Sequence, residues 1–304
     1  MKFAVIGGAG FIGNNIVRLL LNNDHTVHVI DNLHTGKLEN LTNIKNDIVF
    51  KKIDIRDFDK LNNALENIDG IFHQAALTSV PESYEKPKEY YNVNVIGTEN
   101  IFKIAKKNNQ KVVYASSSSV YGNAETIPIK ENSPRNPINP YGQTKLEKEF
   151  LAEKFSNKGV EIIGLRYFNV FGLGQTNSYA GVITKFMNRL SDKLLPIING
   201  NGKQVRDFIY VNDVANANIA AMNCSIKSGF FNIGTGKTVS INDLAKVMIK
   251  LYGLEFKPKY VDALKGDVDK SQADTKLAEK SLNWKYKTDL QNGLSYIIKP
   301  TVYT

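Results

Sequence analysis

Residues 1–21 read Met1-Lys2-Phe3-Ala4-Val5-Ile6-Gly7-Gly8-Ala9-Gly10-Phe11-Ile12-Gly13-Asn14-Asn15-Ile16-Val17-Arg18-Leu19-Leu20-Leu21. Lys2 to Ile6 is a strand candidate, Phe11 to Leu21 is an amphipathic helix candidate, and only glycines and one alanine separate them. Gly7 permits a tight turn, Gly10 lets the backbone approach a pyrophosphate held at the helix N-terminus, and Gly13 lets helix and strand pack closely. The next strand candidate, Thr26 to Ile30, ends at Asp31, 18 residues after Gly13. That is near the place where a dinucleotide fold puts the acid that binds the adenosine ribose. The Asp31 carboxylate would repel a 2′-phosphate and no arginine follows it closely, so NAD is expected over NADP. Asp54-Ile55 follows the third strand candidate, where the carboxylate either meets the adenine or caps the next helix.

Outward from this unit the same rhythm continues. Strand candidates at Ile48 to Lys52, Gly70 to His73, Lys111 to Tyr114 and Glu161 to Leu165 alternate with helical patterns at Asp57 to Glu66, Lys88 to Lys107 and Tyr141 to Phe155. Strict alternation predicts right-handed crossovers and a doubly wound parallel sheet of the Rossmann type. After Leu165 the strands shorten and Gly-rich turns appear at 199–202 and 234–236. We therefore expect an α/β chain with residues 1–165 as a dinucleotide-binding domain. Residues 166–304 would form a smaller α/β substrate-binding lobe, with some chain crossing back to the first domain. Ser240, three residues before Asp243 and ahead of an apolar-periodic run, marks a helix start in that lobe.

Composition narrows the function classes. At 304 residues with 42% hydrophobic and 23% charged residues, the chain is a folded protein rather than a disordered or collagen-like one. A single cysteine, Cys224, excludes an internal disulfide, and four scattered histidines offer no metal-ligand spacing. No run approaches the roughly 18 apolar residues of a membrane span, and the start is too short for a signal peptide, so a cytoplasmic, metal-free protein is expected. The net charge of +9 comes from lysines spread along the chain beside abundant asparagine. It reflects either overall Lys/Asn usage or a field that attracts an anionic small substrate, and no basic patch interleaved with aromatics speaks for nucleic acid.

Tyr141 and Lys145 stand one helical turn apart on one face. A tyrosine used as a base needs its pKa of about 10 lowered by about three units, roughly 4 kcal/mol. A lysine charge about 5 Å away supplies roughly 3 kcal/mol at an effective dielectric of about 20. Alone this is a common surface pair. It gains weight from Ser116-Ser117-Ser118-Ser119, which follows the fifth strand candidate at the carboxyl edge of the sheet, where ligands bind; the alternative for that run is a flexible polar loop.

These stretches together resemble the nucleotide-sugar 4-epimerases of the extended short-chain dehydrogenase/reductases. The resemblance rests on the Gly7–Gly13 turn, Asp31-Asn32-Leu33, His73-Gln74-Ala75-Ala76 and Asn94-Val95-Ile96-Gly97-Thr98. It continues through the serine run with Val120-Tyr121-Gly122, Tyr141-x-x-x-Lys145, Arg166 to Gly172 and Arg206-Asp207-Phe208. It implies C4 epimerisation of a UDP-hexose (UDP-glucose/UDP-galactose, and UDP-N-acetylglucosamine/UDP-N-acetylgalactosamine) through a 4-keto sugar with bound NAD, in a homodimer. By motif it implies Tyr141 as base, Lys145 bridging Tyr141 and the nicotinamide ribose, and Ser117 on the sugar O4. The cofactor residues it implies are Gly7, Gly10, Phe11, Ile12, Gly13, Asp31, Asn32, Leu33, Thr35, Gly36, Asp54, Ile55, Gln74, Ala75, Ala76, Asn94 and Phe168, with Tyr141 and Lys145. For the nucleotide sugar it implies Ser79, Ser117, Ser118, Asn169, Val182, Ile197, Ile198, Asn199, Arg206, Asp267 and Ser271.

One departure stands out. The family's arginine ahead of the late Gly-Asp is Leu264 here, so a diphosphate contact is lost or moves to Lys265. Arg206 suits a phosphate with its planar fork, although a salt bridge to Asp207 or Asp213 is the plain alternative. The resemblance also implies a gatekeeper beside the sugar C2 substituent four residues after the aspartate of that late Gly-Asp; counted from Asp267 it is Ser271, a small side chain that would admit an N-acetyl group. Dehydratases and decarboxylases of the same fold resemble each other in carrying acids at the places of Ser118 and Ser119, which cannot ionise near neutral pH. A non-catalytic dinucleotide sensor or nucleic-acid binder is the reading from another class.

Overall fold

The computed structural model describes residues 1–175, 181–263, 266 and 268–299. Six strands, β1 (Lys2–Ile6), β2 (Thr26–Asp31), β3 (Ile48–Lys52), β4 (Gly70–His73), β5 (Lys111–Ser117) and β6 (Ile162–Tyr167), are joined by a seventh, Ser228–Ile233, in one sheet. Its order is Ser228–Ile233, β6, β5, β4, β1, β2, β3, and all its pairings are parallel. The chain winds outward from β1 to β3, then returns past β1 to build β4 to β6 on the other side. That reversal opens a crevice at the carboxyl ends of β1 and β4, where Ile6 lies opposite His73.

Alternation along each strand feeds two cores. Phe3, Val5, Val27 and Val29 pack on one face with Ile16, Val17 and Leu20 of α1 (Phe11–Leu21) and with Val214, Ala217 and Ala221 of the helix Val211–Asn223. Ala4, Ile6, Ile30 and Ile71 point the other way, into Leu61, Leu65, Ile101, Phe102 and Phe155. Both faces are covered, as a parallel sheet requires. A third core, around Phe186, Ile198, Leu244, Met248 and Leu294, holds the later part of the chain. There the strands are short pairs: Asn169–Phe171 with Phe208–Tyr210, Val205–Arg206 with Val239–Ser240, and Ile197–Asn199 with Lys259–Val261.

Several boundaries differ from the sequence pattern, each for a physical reason. β5 runs on through Ser116 and Ser117, which pair with Arg166 and Tyr167, because the Ser116 hydroxyl donates to buried Glu149 at 2.6 Å. The long pattern from Lys88 to Lys107 is broken into Pro87–Tyr91, a wide turn at Asn92–Ile96 and Gly97–Asn108. The helix bearing Tyr141 begins at Pro140 with Asn139 as its cap and ends at Ser156. Ser240 caps Ile241–Leu251 by accepting from the Asp243 N–H, in keeping with the sequence pattern.

Candidate active site

A cavity of about 520 Å³ opens at the β1/β4 crevice. Its floor is the glycine turn. Gly7 adopts φ +82°, and a Cβ there would sit 2.6 Å from the Ala75 nitrogen; a Cβ at Gly13 would overlap the Gly7 carbonyl oxygen. α1 starts at Gly10 with no capping side chain and no acid in its first turn, so its N–H groups are left for an anion. At the end of β2 the Asp31 carboxylate accepts from the N–H groups of Ala9 (3.0 Å) and Leu33 (2.8 Å), and burial raises its proton affinity. This cradle, with a carboxylate beside it, fits a dinucleotide.

The opposite wall carries Tyr141 and Lys145. Tyr141 and Lys145 lie on one face of Pro140–Ser156, with the Lys145 ammonium 5.6 Å from the centre of the Tyr141 ring. Lys145 is 2% exposed and donates to the Ala115 carbonyl at 3.0 Å. Burial lowers its pKa to about 8, against an opposing pull from Glu149. Ser117 accepts from the Ser119 N–H at 3.1 Å and is hydrogen-bonded to the Tyr141 hydroxyl. Burial raises the pKa of Tyr141, and the Ser117 hydrogen bond opposes it.

Most of the expected residues meet on this wall. Gly7, Gly10, Phe11, Ile12, Gly13, Asp31, Asn32, Thr35, Ile55, Gln74, Ala75, Ala76, Phe168, Ser79, Ser117, Tyr141, Lys145, Asn169 and Val182 all line the cavity. Others stand behind or apart from it. Leu33, at φ +62°, serves Asp31 through its N–H, and Gly36 lets the following loop close on Asp31, since a Cβ would lie 2.8 Å from Oδ2. Asn94 is fully buried and pins the chain after β4: it binds the Leu77 N–H (2.8 Å) and carbonyl (3.0 Å) and Thr144 Oγ1 (3.0 Å). Asp54 is turned into an ion pair with Arg56.

In the later lobe, Ile197, Ile198 and Asn199 form a short strand away from the wall, and the Ile198 side chain is core. Arg206, 7% exposed, bonds the Val205 carbonyl, and Ser271, 5% exposed, donates its N–H to the same carbonyl, so neither is a loop residue in solvent. Ser118 begins the short turn after β5 and is also off the wall. Asp267, with Leu264 and Lys265, lies outside the described residues. Missed by sequence reasoning were Arg56, Glu89, Gln175 and Lys185, all on the wall. Only Lys185 carried a signal, its spacing of three from Val182 on one helix. Among the described residues no group of His, Cys, Asp or Glu is placed to hold a metal, and no helix is long and apolar enough to cross a membrane.

Comparison with known proteins agrees with this geometry. Residues 3–234 match the NAD dependent epimerase/dehydratase family. A putative UDP-glucose 4-epimerase of Methanocaldococcus jannaschii is 40% identical over 301 residues, covering 97% of this chain and 96% of that one. A crystal structure of a UDP-glucose 4-epimerase from Thermotoga maritima with UDP-glucose superposes with a TM-score of 0.94 at 34% identity, covering 98% of each chain. A UDP-N-acetylglucosamine 4-epimerase from Methanobrevibacter ruminantium, in complex with UDP-N-acetylmuramic acid, gives 0.92 at 36% identity, covering 99% of each. With its glycine turn, Asp31 and the Ser117–Tyr141–Lys145 wall in one cleft, this chain belongs to the NAD dependent epimerase/dehydratase family.

Proposed function

We propose that the protein epimerises C4 of a UDP-hexose through a 4-keto sugar, and the observation that carries this is Ser117, Tyr141 and Lys145 on one wall of the dinucleotide cleft. NAD, when bound, supplies the reversible two-electron acceptor. Gly7, Gly10, Gly13 and Asp31 hold it, and Gln74, Ala75, Ala76 and Phe168 enclose it. Tyr141 takes the proton of the 4-hydroxyl as C4 is oxidised and, once the 4-keto sugar has turned its other face to the cofactor site, gives the proton back to O4, so the cycle needs no net acid or base. Ser117 orients the O4 toward the phenol, and Lys145 keeps a positive charge beside it. Ser118 and Ser119 bring no carboxylate with which to drive elimination, so epimerisation is favoured over dehydration or decarboxylation.

In this reading residues 1–165 serve the cofactor, while 166–304 mainly serve the nucleotide sugar and return Ser228–Ile233 to the sheet. Asn169 and Val182 are its contacts on the wall, with Ser79 across the cleft. We assign Arg206, Ile197 to Asn199, Asp267 and Ser271 to the same nucleotide-sugar half on the resemblance of their motifs. The protein acts in the cytoplasm as a homodimer. Tyr91, Ile96 and Phe150, 46%, 39% and 44% exposed on neighbouring packed helices, support the dimer, and light scattering should return twice the chain mass.

The function is tested by NMR of products formed from UDP-glucose and UDP-N-acetylglucosamine. Each should yield its 4-epimer, and Ser271→Tyr should abolish the second reaction while sparing the first. A 4-keto-6-deoxy or pentose product would overturn the assignment.

The pH profile follows from Lys145. Its pKa near 8 means that the charge is present at neutral pH and lost as pH rises. kcat/KM should therefore fall with an alkaline limb near pH 8, and Lys145→Arg, always charged, should lose that limb while turning over more slowly. A wild-type profile level through about pH 10 would remove Lys145 from this role.

A further inference from the structure

Asp207 is fully buried, and among the described residues its carboxylate meets four neutral donors and no cation. Its Oδ1 accepts from the Thr235 N–H at 2.8 Å and from the Thr235 hydroxyl at 2.6 Å. Its Oδ2 accepts from the N–H groups of Gly236 at 2.9 Å and Ala273 at 3.1 Å. A carboxylate offers about four lone-pair sites, so this one is filled by the chain itself. The glycine turn closes directly on it: a Cβ at Gly234 would lie 2.8 Å from Oδ2. One buried side chain thus ties the strand end at Arg206 to the turn 234–236 and to the segment that carries Ser271, whose N–H donates to the Val205 carbonyl.

The main chain of the same residue reaches the cleft. The Asp207 carbonyl accepts from the Asn169 N–H at 3.0 Å and from Asn169 Nδ2 at 3.2 Å, where Phe208 pairs with Asn169. Asn169 and Phe208 line the cavity, and Asp207 does not. Two bonds to one carbonyl fix the Asn169 amide, and the atoms of that amide that Asp207 does not hold are the ones left for a ligand. With its side chain anchored on both oxygens, Asp207 has little freedom to turn the carbonyl away. We propose that Asp207 is the positioning residue for Asn169 and through it sets the affinity of the cleft for the nucleotide sugar, without touching the cofactor or the reacting carbon. This rests on the nucleotide-sugar reading of Asn169 and goes beyond it in naming what holds that contact in place.

The test measures UDP-glucose binding by calorimetry on the holoenzyme with its NAD reduced by borohydride, so that sugar is bound without turnover, and kcat and KM on the oxidised holoenzyme. It is run on the wild type, Asp207→Asn, Thr235→Val and Asn169→Ala, and on Asp207→Asn and Thr235→Val each combined with Asn169→Ala. Asparagine keeps the volume of Asp207 but turns an NH₂ group toward donors. Asp207→Asn should weaken binding and raise KM about tenfold, with kcat and NAD content at the wild-type level. Thr235→Val, which removes one hydroxyl and no backbone donor, should do the same by about threefold. Neither should add to the loss already made by Asn169→Ala, since residues that act through one contact are not additive. Wild-type affinity in both Asp207→Asn and Thr235→Val, or the same further loss in the Asn169→Ala background, would overturn the proposal. So would a fall in kcat and NAD content without a change in affinity, which is what a merely structural carboxylate gives. Should Asp207→Asn fail to fold, Thr235→Val and its double variant decide alone. A wild-type holoenzyme that binds no UDP-glucose would instead overturn the nucleotide-sugar reading.

Discussion

Tyr141→Phe should lower kcat by about 10²–10⁴-fold while leaving the fold and the bound NAD in place. The substitution removes one oxygen. The ring keeps its position on the helix face beside Lys145, and the Tyr141 backbone N–H still donates to Ser83 Oγ at 3.2 Å. What disappears is the hydroxyl that is hydrogen-bonded to Ser117, on the ring that lies beside the Lys145 charge. Product formation from UDP-glucose, NAD content after denaturation and the far-ultraviolet spectrum separate the effects. A variant with near-normal turnover would show that the proton goes elsewhere. Loss of NAD together with turnover would show that the hydroxyl holds the cofactor rather than the reaction.

Glu149→Gln should destabilise the protein by about 3–5 kcal/mol, the cost of leaving a buried charge without its partner. Arg166 is 2% exposed, and its Nε and Nη2 each lie 2.8 Å from the Glu149 oxygens. Burial alone would lower the pKa of this guanidinium; the Glu149 pair reverses that and raises it. Glu149 also accepts from Ser116 at 2.6 Å and from Arg135 at 3.1 Å, so its carboxylate ties β5 and β6 to the helix Pro140–Ser156. Glutamine keeps the volume but turns an NH₂ group toward a donor, so at least one bond becomes a clash. Urea unfolding should show a lower midpoint at unchanged slope. A change below about 1 kcal/mol would mean that water or a shifted side chain compensates, as at exposed pairs.

Glu149 illustrates what was not legible along the chain. It sits four residues after Lys145 on a helix that also carries Glu147, Lys148, Glu153 and Lys154, and nothing in the spacing of these charges says which of them are buried. Its partners come from Ser116, Arg135 and Arg166, which only the packing of strand on helix brings together. Arg166 was visible within a motif, but nothing local says that a guanidinium there is buried under Tyr121 and Phe230, with its centre 4.9 and 5.0 Å from their rings.

The first strand, its glycine turn and α1 were determined by the sequence, because positive φ, the exclusion of Cβ and helical periodicity are properties of neighbouring residues. Asp31 at the end of β2, and Tyr141 with Lys145 one turn apart, were determined in the same way, since strand ends and i, i+4 spacing follow from local geometry. The tertiary structure decided the rest. Which donors an aspartate meets depends on what the fold brings to it: Asp31 accepts from the Ala9 and Leu33 N–H groups, and Asp54 from Arg56 and Asn32. The proton affinity of Tyr141 depends on how much water the assembled cleft removes, and burial there raises it against the Ser117 hydrogen bond. Ser228–Ile233 pairs with β6 because a strand edge there was left open, and an open edge exists only once the sheet has formed.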